Sequence, residues 1–261
     1  MSDVYSALPA KRRQDVYGFQ KTYLNAQFAD SGSACEDGTN GTRDWLQKNI
    51  GSFCSVAKLS ELQTFYPDID GIDVIATAHL DDVAEFLTKP EVIANNTTVE
   101  KIVQLIPLED IAHFLNAAMS AVRKANLTDP QLTALSHMLL TAVWDKVSSG
   151  FSNFMPLEWR YLFQDLHFLL PSINATHLQL IPTNISCSSY QEIVKALNIH
   201  YQDYTVETQQ GIYTVLKNYL LQPGVKPKCY NQSDGEQNST AWFLNYLGKY
   251  LSYCNVEDLR T

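Results

Sequence analysis

Apolar residues recur at every third or fourth position along most of the chain, and strict alternation of apolar with polar residues is nearly absent. One apolar stripe contains Val83, Phe86 and Leu87, and another contains Leu135 and Leu139. Spacings of three and four place side chains on one face of an α-helix, whereas a half-buried strand requires a period of two. The pattern therefore predicts an all-α fold.

Several of the predicted helices begin with acidic residues or with proline. Residues 80–83, 107–111 and 156–159 each place acids in a first turn, where the backbone N–H groups favour negative charge. Residues 126–130 and Ser136 are typical of further N-terminal caps. These boundaries predict helices of about 8 to 15 residues that are joined by short loops.

Part of the chain is duplicated, since residues 14–59 are repeated as residues 210–259. Five residue types recur at an offset of 196, namely those of Gln14, Tyr17, Lys21, Tyr23 and Leu24. Further matches, at offsets from 194 to 200, pair Cys35 with Cys229, Trp45 with Trp242, Gly51 with Gly248 and Val56 with Val256. A long internal period indicates stacked units.

This period, together with the short helices, predicts one continuous superhelix over residues 1–261, an α-solenoid of the armadillo or HEAT kind. A closed helical bundle is the structural alternative. Because both ends of the chain fall inside the repeated array, we expect the sequence to be a piece of a longer protein. Trp45 and Trp242 are interpreted as core residues that pack one helix on the next.

The negative charge of the chain limits the classes of partner that we expect. The formal net charge is -9, and the only compact basic run is 11–13, so neither nucleic acid nor an anionic membrane is an expected partner. No run of 18 apolar residues occurs, so we expect no direct membrane insertion in this stretch. The first residues do not resemble a signal peptide, and a secreted form would therefore have been trimmed.

Acceptor triplets for N-linked glycans, Asn-X-Ser/Thr, are strongly over-represented. About two would arise by chance, and each such triplet is a possible glycan site on a surface loop. The excess predicts a secreted, extracellular or cell-surface protein. The eight acceptors are Asn40, Asn95, Asn96, Asn126, Asn174, Asn184, Asn231 and Asn238.

The five cysteines are consistent with an oxidising compartment, but an odd number cannot all form disulfides within the chain, so one thiol is expected to be unpaired. Cys187 lies upstream of the second copy, and its counterpart in the first copy would fall before residue 1. We therefore predict the bridges Cys187–Cys229 and Cys35–Cys54, with Cys254 as the unpaired thiol.

Motifs for catalysis or metal binding are weak. Ser55 and Lys58 match Ser-x-x-Lys, but the companion motifs are missing and neither residue is kept in the second copy. Residues 68–73 are rich in Asp, but their glycine falls at the wrong place for a calcium loop. The six histidines are scattered singly over different helices. We predict no catalytic residue, no cofactor and no metal site.

Six segments together resemble the mesothelin/stereocilin/otoancorin group of extracellular glycoproteins: 65–71, 184–195, 210–213, 229–230, 238–248 and 256–259. The resemblance implies a right-handed superhelix of armadillo-like repeats that mediates cell–cell or cell–matrix attachment, anchored through glycosylphosphatidylinositol or associated with the matrix. Within these residues we find neither an anchor signal nor a precursor cleavage region, so we do not expect surface attachment to carry over from the resemblance.

The function expected from these observations is a non-enzymatic adhesion or interaction module that binds another extracellular protein or a matrix glycoprotein. Solenoids present extended surfaces that suit this role. A secreted carrier with an apolar ligand between helical repeats is the alternative, and a hydrolase is the least supported reading. The carrier reading predicts a cavity lined by aromatic and sulfur-containing side chains such as Phe114, Met119, Trp144, Phe163 and Phe168.

Overall fold

The structure is a computed structural model that describes residues 5, 7–31, 35–57, 59–67, 69, 71–76, 80–221, 227–230, 239–255 and 258. Every regular element within these residues is a helix, so the predicted all-α class is confirmed. The chain divides into two compact units, Met1–Ile106 with Ser120–Ala125, and Pro107–Met119 with Asn126–Thr261. Among the described helices, none has the length and apolar composition needed to cross a bilayer.

The first unit contains seven α-helices within the described residues, and one 3₁₀ helix follows the second of them. Their bounds are α1 Ala10–Ser31, α2 Gly41–Asn49, the 3₁₀ helix Gly51–Val56, α3 Leu59–Phe65, α4 Gly71–Ala76, α5 Leu80–Leu87, α6 Pro90–Ile93 and α7 Asn96–Leu105. Helix α8, Ile111–Lys124, is divided between the two units.

Within the described residues the second unit contains six further α-helices and five 3₁₀ helices. The α-helices are α9 Asp129–Ser148, α10 Pro156–Asp165, α11 Ala175–Gln179, α12 Cys187–Ile199, α13 Val206–Leu220 and α14 Ser239–Tyr246. The 3₁₀ helices are Leu108–Asp110, Phe151–Asn153, Leu170–Ser172, Tyr201–Asp203 and Gly248–Tyr253.

Each unit has a core in which aromatic side chains are prominent. Trp45 and Phe53 are buried in the first unit beside Leu24, and the ring of Trp45 stacks on that of Tyr66. In the second unit the tilted rings of Phe151 and Trp159 lie 4.8 Å apart, and the neighbouring side chains of Trp144 and Phe163 are buried with them. Burial of such large apolar surfaces is the main favourable term in folding.

The helix starts agree with the sequence prediction at three places and differ at one. Helix α5 begins at Leu80, α10 begins at Pro156, and Thr128 precedes α9 with its N–H bonded to Gln131. The N-terminal cap predicted at Ser136, however, lies inside α9, which runs without a break for 20 residues. Helix α1 has 22 residues, so the predicted upper length of 15 is also too short. A single serine lowers helix propensity only slightly, and packing of the apolar face overrides it.

Candidate interaction surface

The first repeat carries a hydrogen-bonded cluster of one tyrosine, one lysine and one carboxylate. The Tyr17 hydroxyl donates to Glu61 Oε2 at 3.1 Å, and Lys21 Nζ donates to Glu61 Oε1 at 2.7 Å. Burial raises the pKa of Tyr17, and the hydrogen bond to Glu61 raises it further, so the phenol stays protonated. The cluster ties α1 to α3.

The second repeat contains the same cluster. The Tyr213 hydroxyl donates to Asp258 Oδ2 at 2.6 Å, and Lys217 Nζ donates to Asp258 Oδ1 at 2.9 Å. The hydrogen bond from Lys217, followed by the one from Tyr213, lowers the pKa of Asp258 to about 2. Asp258 therefore takes the place of Glu61 at an offset of 197, and the match of Val256 to Val56, at an offset of 200, has the wrong register.

The duplication extends further towards the N-terminus than the sequence match indicates. The rings of Tyr5 and Phe53 meet edge to face at 5.0 Å, and those of Tyr201 and Tyr250 do so at 5.1 Å. Tyr201 lies 196 residues after Tyr5, so the repeated structure begins before Gln14.

A hydrogen bond at the start of the first helix of each copy repeats as well. Arg13 Nε donates to the Leu8 carbonyl at 2.9 Å, and Gln209 Nε2 donates to the Tyr204 carbonyl at 3.1 Å. The donor types differ, so identity along the sequence could not show this match. The two copies therefore share a local geometry more extensive than their shared residues.

The two copies differ in what covers their first helix. In the second copy, Tyr190 of α12 stacks on Tyr219 of α13 with ring centroids 4.3 Å apart and planes within 8°. The Tyr190 hydroxyl donates to the Leu216 and Tyr246 carbonyls, and the Tyr219 hydroxyl donates to the Ile185 carbonyl at 2.6 Å. Tyr219 is consequently only 8% exposed.

The matching face of α1 is open. Tyr23, the counterpart of Tyr219, is 54% exposed, and Phe19, the counterpart of Val215, is 76% exposed. These two aromatic side chains, four residues apart, lie on one side of α1. We call Phe19 and Tyr23 the α1 face. Sequence reasoning missed it, although Tyr23 is one of the repeated residues, because repetition alone does not show which copy is covered.

The two copies also differ in the bonding of their cysteines. Among the described residues, which include all five cysteines, the structure has one disulfide, Cys187–Cys229, as predicted. Cys229 has a left-handed backbone conformation, with φ of 65°, and Cys35 has the same conformation, with φ of 59°. Cys35 is a partly exposed thiol, so the first copy retains the conformation of the bonded cysteine without the bond.

The predicted Cys35–Cys54 bridge is not present. The Cys54 side chain is buried in the first core beside Phe53, and its counterpart at an offset of 197 is Leu251 rather than a cysteine. Cys54 is therefore a packing residue of the 3₁₀ helix. Cys254, predicted as the unpaired thiol, is outside any disulfide in the structure.

An apolar cavity of about 360 Å³ lies within the second unit, between α11, α12 and α13. Apolar side chains dominate its lining, with a few polar groups such as those of Thr183 and Asn218. None of the five residues predicted for a carrier cavity lines it. Phe114, Trp144 and Phe163 are buried in the packed interior instead. The cavity-lining apolar residues are Ala175, Leu178, Ile181, Ile185, Ile193, Val215 and Leu216.

The catalytic and metal motifs gain no support from the described residues. Lys58 lies outside them, as do Asp68 and Asp70 of the Asp-rich segment, and the side chain of Ser55 is not described. Within the described part of the chain, no group of three or more metal-ligating side chains comes together. The Asp-rich segment leads into α4, which begins at Gly71.

Two histidines are closer than the sequence suggests, since the rings of His137 and His177 lie 6.0 Å apart. His177 is buried, and its Nδ1 accepts from the Asn174 N–H at 3.3 Å while its Nε2 lies 3.1 Å from Thr141 Oγ1. Since Thr141 donates its proton to the His137 carbonyl, Nε2–H of a neutral His177 is the donor to Thr141. Burial, assisted by His137, lowers the pKa of His177 and so favours the neutral form that these two hydrogen bonds require.

The sequon asparagines that the structure describes lie at the surface. Asn40, Asn95, Asn96, Asn126 and Asn184 are exposed, and Asn174 is partly exposed. Asn231 and Asn238 lie outside the described residues. At Asn174 the side-chain oxygen accepts from two backbone N–H groups at the start of α11, which leaves the amide nitrogen, the glycan-bearing atom, outside this cap.

Comparison of the chain with protein-family models, with curated protein sequences and with solved structures finds no match in any of the three.

Proposed function

We propose that this chain is a secreted or cell-surface glycoprotein that acts as a non-enzymatic adhesion or interaction module, and that it binds another extracellular protein or a matrix glycoprotein. In this proposal the short helices stack as a right-handed α-solenoid of the mesothelin/stereocilin/otoancorin kind. The sequence resemblance and the internal duplication support that arrangement.

The observation that carries the proposal is the open α1 face. Phe19 and Tyr23 expose two large aromatic side chains on one helix, whereas Tyr219, the equivalent of Tyr23 on α13, is covered by Tyr190 of α12. Aromatic residues are the side chains that most often dominate the energetics of protein interfaces. The α1 face therefore fits contact with another protein surface better than it fits contact with solvent.

The extracellular location is supported by the disulfide and by the sequons. Cys187–Cys229 is the type of bond that persists in oxidising compartments. The six described sequon asparagines are at least partly exposed, which is the accessibility that a glycan requires.

A cell-binding experiment tests the proposal. The chain is secreted from cultured eukaryotic cells, attached to fluorescent streptavidin as a tetramer, and added to intact cells and to immobilised matrix proteins. The Phe19→Ser/Tyr23→Ser double variant is expected to lose at least about tenfold in binding, because each aromatic at an interface centre contributes roughly 2 kcal/mol.

Tyr161→Ser is the matched control, since Tyr161 on α10 is as exposed as Tyr23, at 54%. This variant is expected to bind like the unaltered chain. Equal binding by the α1 double variant, or no binding of the unaltered chain to any of these surfaces, would contradict the proposal.

The cavity of the second unit supports a second candidate function, a secreted carrier of a small apolar ligand. A volume of about 360 Å³ is within the range of small-molecule pockets. Native mass spectrometry of the secreted chain tests this candidate. A carrier would retain its ligand in the unaltered chain, and Gly211→Leu would lose it because the leucine side chain enters the cavity from its wall. A chain that carries no ligand, and that binds no fatty acid or sterol from a panel, would exclude this candidate.

A further inference from the structure

Resting on the second candidate function, that of a carrier, we infer that the cavity of the second unit binds a monocarboxylate with an apolar body, such as a fatty acid. The apolar body occupies the cavity. The carboxylate lies at the exposed edge of the cavity, where the ammonium group of Lys228 binds it. The adhesion proposal does not depend on this site.

The inner wall of the cavity is apolar. Leu178 of α11, Ile193 of α12 and Leu216 of α13 line it, and each is at most 3% exposed. The rings of Tyr190 and Tyr219 line it too, and their hydroxyls already donate to backbone carbonyls. An apolar chain that entered would therefore leave water without leaving either hydroxyl unpaired, which is favourable.

The polar side chains of the cavity lie at its exposed edge. Thr214 and Asn218 of α13 line the cavity and are exposed. So are Gln179, the last residue of α11, and Thr183, in the loop that follows. We call these four residues the rim. A ligand whose apolar part fills the cavity would keep its polar end here, beside hydroxyl and amide groups that donate hydrogen bonds. Among the lining residues that the structure describes there is no acid to oppose a carboxylate.

Lys228 supplies a positive charge at the rim. Its Nζ donates to the Thr183 carbonyl at 2.8 Å and lies 4.6 Å from the centroid of the Tyr219 ring, and both of these residues line the cavity. An ammonium group has three donor hydrogens, so the bond to Thr183 leaves two for a carboxylate. The ion pairs between described residues all join other groups.

The backbone around Lys228 is attached to two of the helices that enclose the cavity. The Lys228 N–H donates to the carbonyl of Leu220, the last residue of α13, at 2.9 Å. The next residue, Cys229, is bonded to Cys187 at the start of α12. The charge is therefore held at the rim before a ligand arrives, which lowers the entropic cost of binding.

A purely structural role for Lys228 is the competing interpretation, because Lys249 makes the same two kinds of contact. Its Nζ donates to the Asn198 carbonyl at 2.9 Å and lies 6.0 Å from the centroid of the Tyr201 ring. Neither Asn198 nor Tyr201 lines the cavity. Lys249 is therefore a matched control, with similar contacts at a place away from the cavity.

Isothermal titration calorimetry of the complete chain at neutral pH tests the inference, with dodecanoate and with dodecan-1-ol as its uncharged match. Lys228→Met should weaken the binding of dodecanoate about fivefold and leave that of dodecan-1-ol unchanged. A partly exposed ion pair contributes about 1 kcal/mol, and about 1.4 kcal/mol corresponds to tenfold. Lys228→Arg, which keeps the charge, and Lys249→Met should both bind dodecanoate like the unaltered chain.

Two variants of α13 show whether the ligand occupies the cavity. Val215→Phe and Gly211→Leu each place a larger side chain in it, and each should weaken the binding of both ligands at least about tenfold. Phenylalanine already occupies the position equivalent to Val215 in the first copy, as Phe19, so a helix of this kind accepts it. Circular dichroism and thermal unfolding confirm that each variant is folded.

The outcomes separate this inference from the carrier function. If Lys228→Met weakens both ligands equally, weakens neither, or has the same effect as Lys249→Met, the carboxylate assignment is wrong, while binding that Val215→Phe abolishes still supports a carrier. Binding that persists in both folded cavity variants would overturn the site itself. If neither ligand binds the unaltered chain, the inference fails, and native mass spectrometry of the secreted chain then decides on the carrier function alone.

Discussion

Cys35 has the same left-handed backbone conformation as Cys229, although only Cys229 is held there by a disulfide. Non-glycine residues rarely adopt this conformation, so its occurrence at both cysteines reflects the repeated structure around them. The first copy therefore has the geometry of a bonded cysteine at a position where the second copy uses the bond to fix α12.

The disulfide is expected to stabilise the second unit. Replacing both Cys187 and Cys229 by serine should lower the free energy of unfolding by about 3 to 4 kcal/mol, since the bond closes a loop with a sequence separation of 42 residues. Urea denaturation followed by circular dichroism measures this loss. Cys35→Ser is the control and should change stability by less than about 1 kcal/mol. Similar effects of both changes would contradict the assignment.

The sequence predicted the helical class and the Cys187–Cys229 pair, because each depends on residue identity and spacing along the chain. It could not predict the role of Glu61, since Asp258 replaces it in the second copy and the match was placed three residues out of register. It also placed the carrier cavity among residues that are packed in the interior, because the position of a void depends on long-range packing.

The α1 face illustrates a second limit of the sequence. Tyr23 and Tyr219 are the same residue type at equivalent positions, and yet one is exposed and the other is buried. The difference arises from α12, whose effect on Tyr219 appears only in three dimensions.

The cluster around Asp258 predicts that the stability of the chain falls at low pH. The pKa of Asp258 is lowered to about 2, from about 3.9 in an unfolded chain, so its contribution is complete above about pH 4 and is lost as the pH falls towards 2. Denaturation midpoints measured between about pH 5 and about pH 1.5, a window that spans both pKa values, should fall less steeply in Asp258→Asn than in the unaltered chain. Glu207→Gln, at an exposed acid on α13, is the control and should keep the original slope. Identical slopes in all three proteins would refute the role of the cluster.

Alanine substitutions at two glycines with positive φ distinguish the cost of backbone strain from the cost of a steric clash. In Gly38→Ala the added β-carbon meets no atom within 4 Å. The variant should therefore lower the free energy of unfolding by about 1 kcal/mol, through the left-handed conformation alone. Gly248→Ala should cost about 2 to 3 kcal/mol, because the new β-carbon displaces Asn198 and breaks its bond to the Lys249 N–H. Thermal unfolding of the two variants gives the comparison. An equal loss in both would show that Asn198 does not pack against Gly248.

His177 predicts a second dependence on pH, near neutrality. Its pKa is lowered in the folded chain, so below about pH 6.5 the unfolded chain binds the proton more readily, and stability falls as the pH falls. Protonation would also remove the acceptor for the Asn174 N–H. Urea titrations at pH 7.5 and pH 5.5, on either side of the ordinary histidine pKa of about 6.5, should show a larger loss in the unaltered chain than in His177→Gln. A variant that loses as much stability as the unaltered chain would exclude His177 as the source.

The most direct test of the open α1 face compares the solvent accessibility of Tyr23 with that of Tyr219. Nitration of the isolated chain by tetranitromethane, followed by peptide mapping, reports how accessible each ring is. The structure predicts that Tyr23, 54% exposed, is modified and that Tyr219, 8% exposed, is not. Equal protection of Tyr23 and Tyr219 in the isolated chain would show that the α1 face is already covered, and would contradict the account.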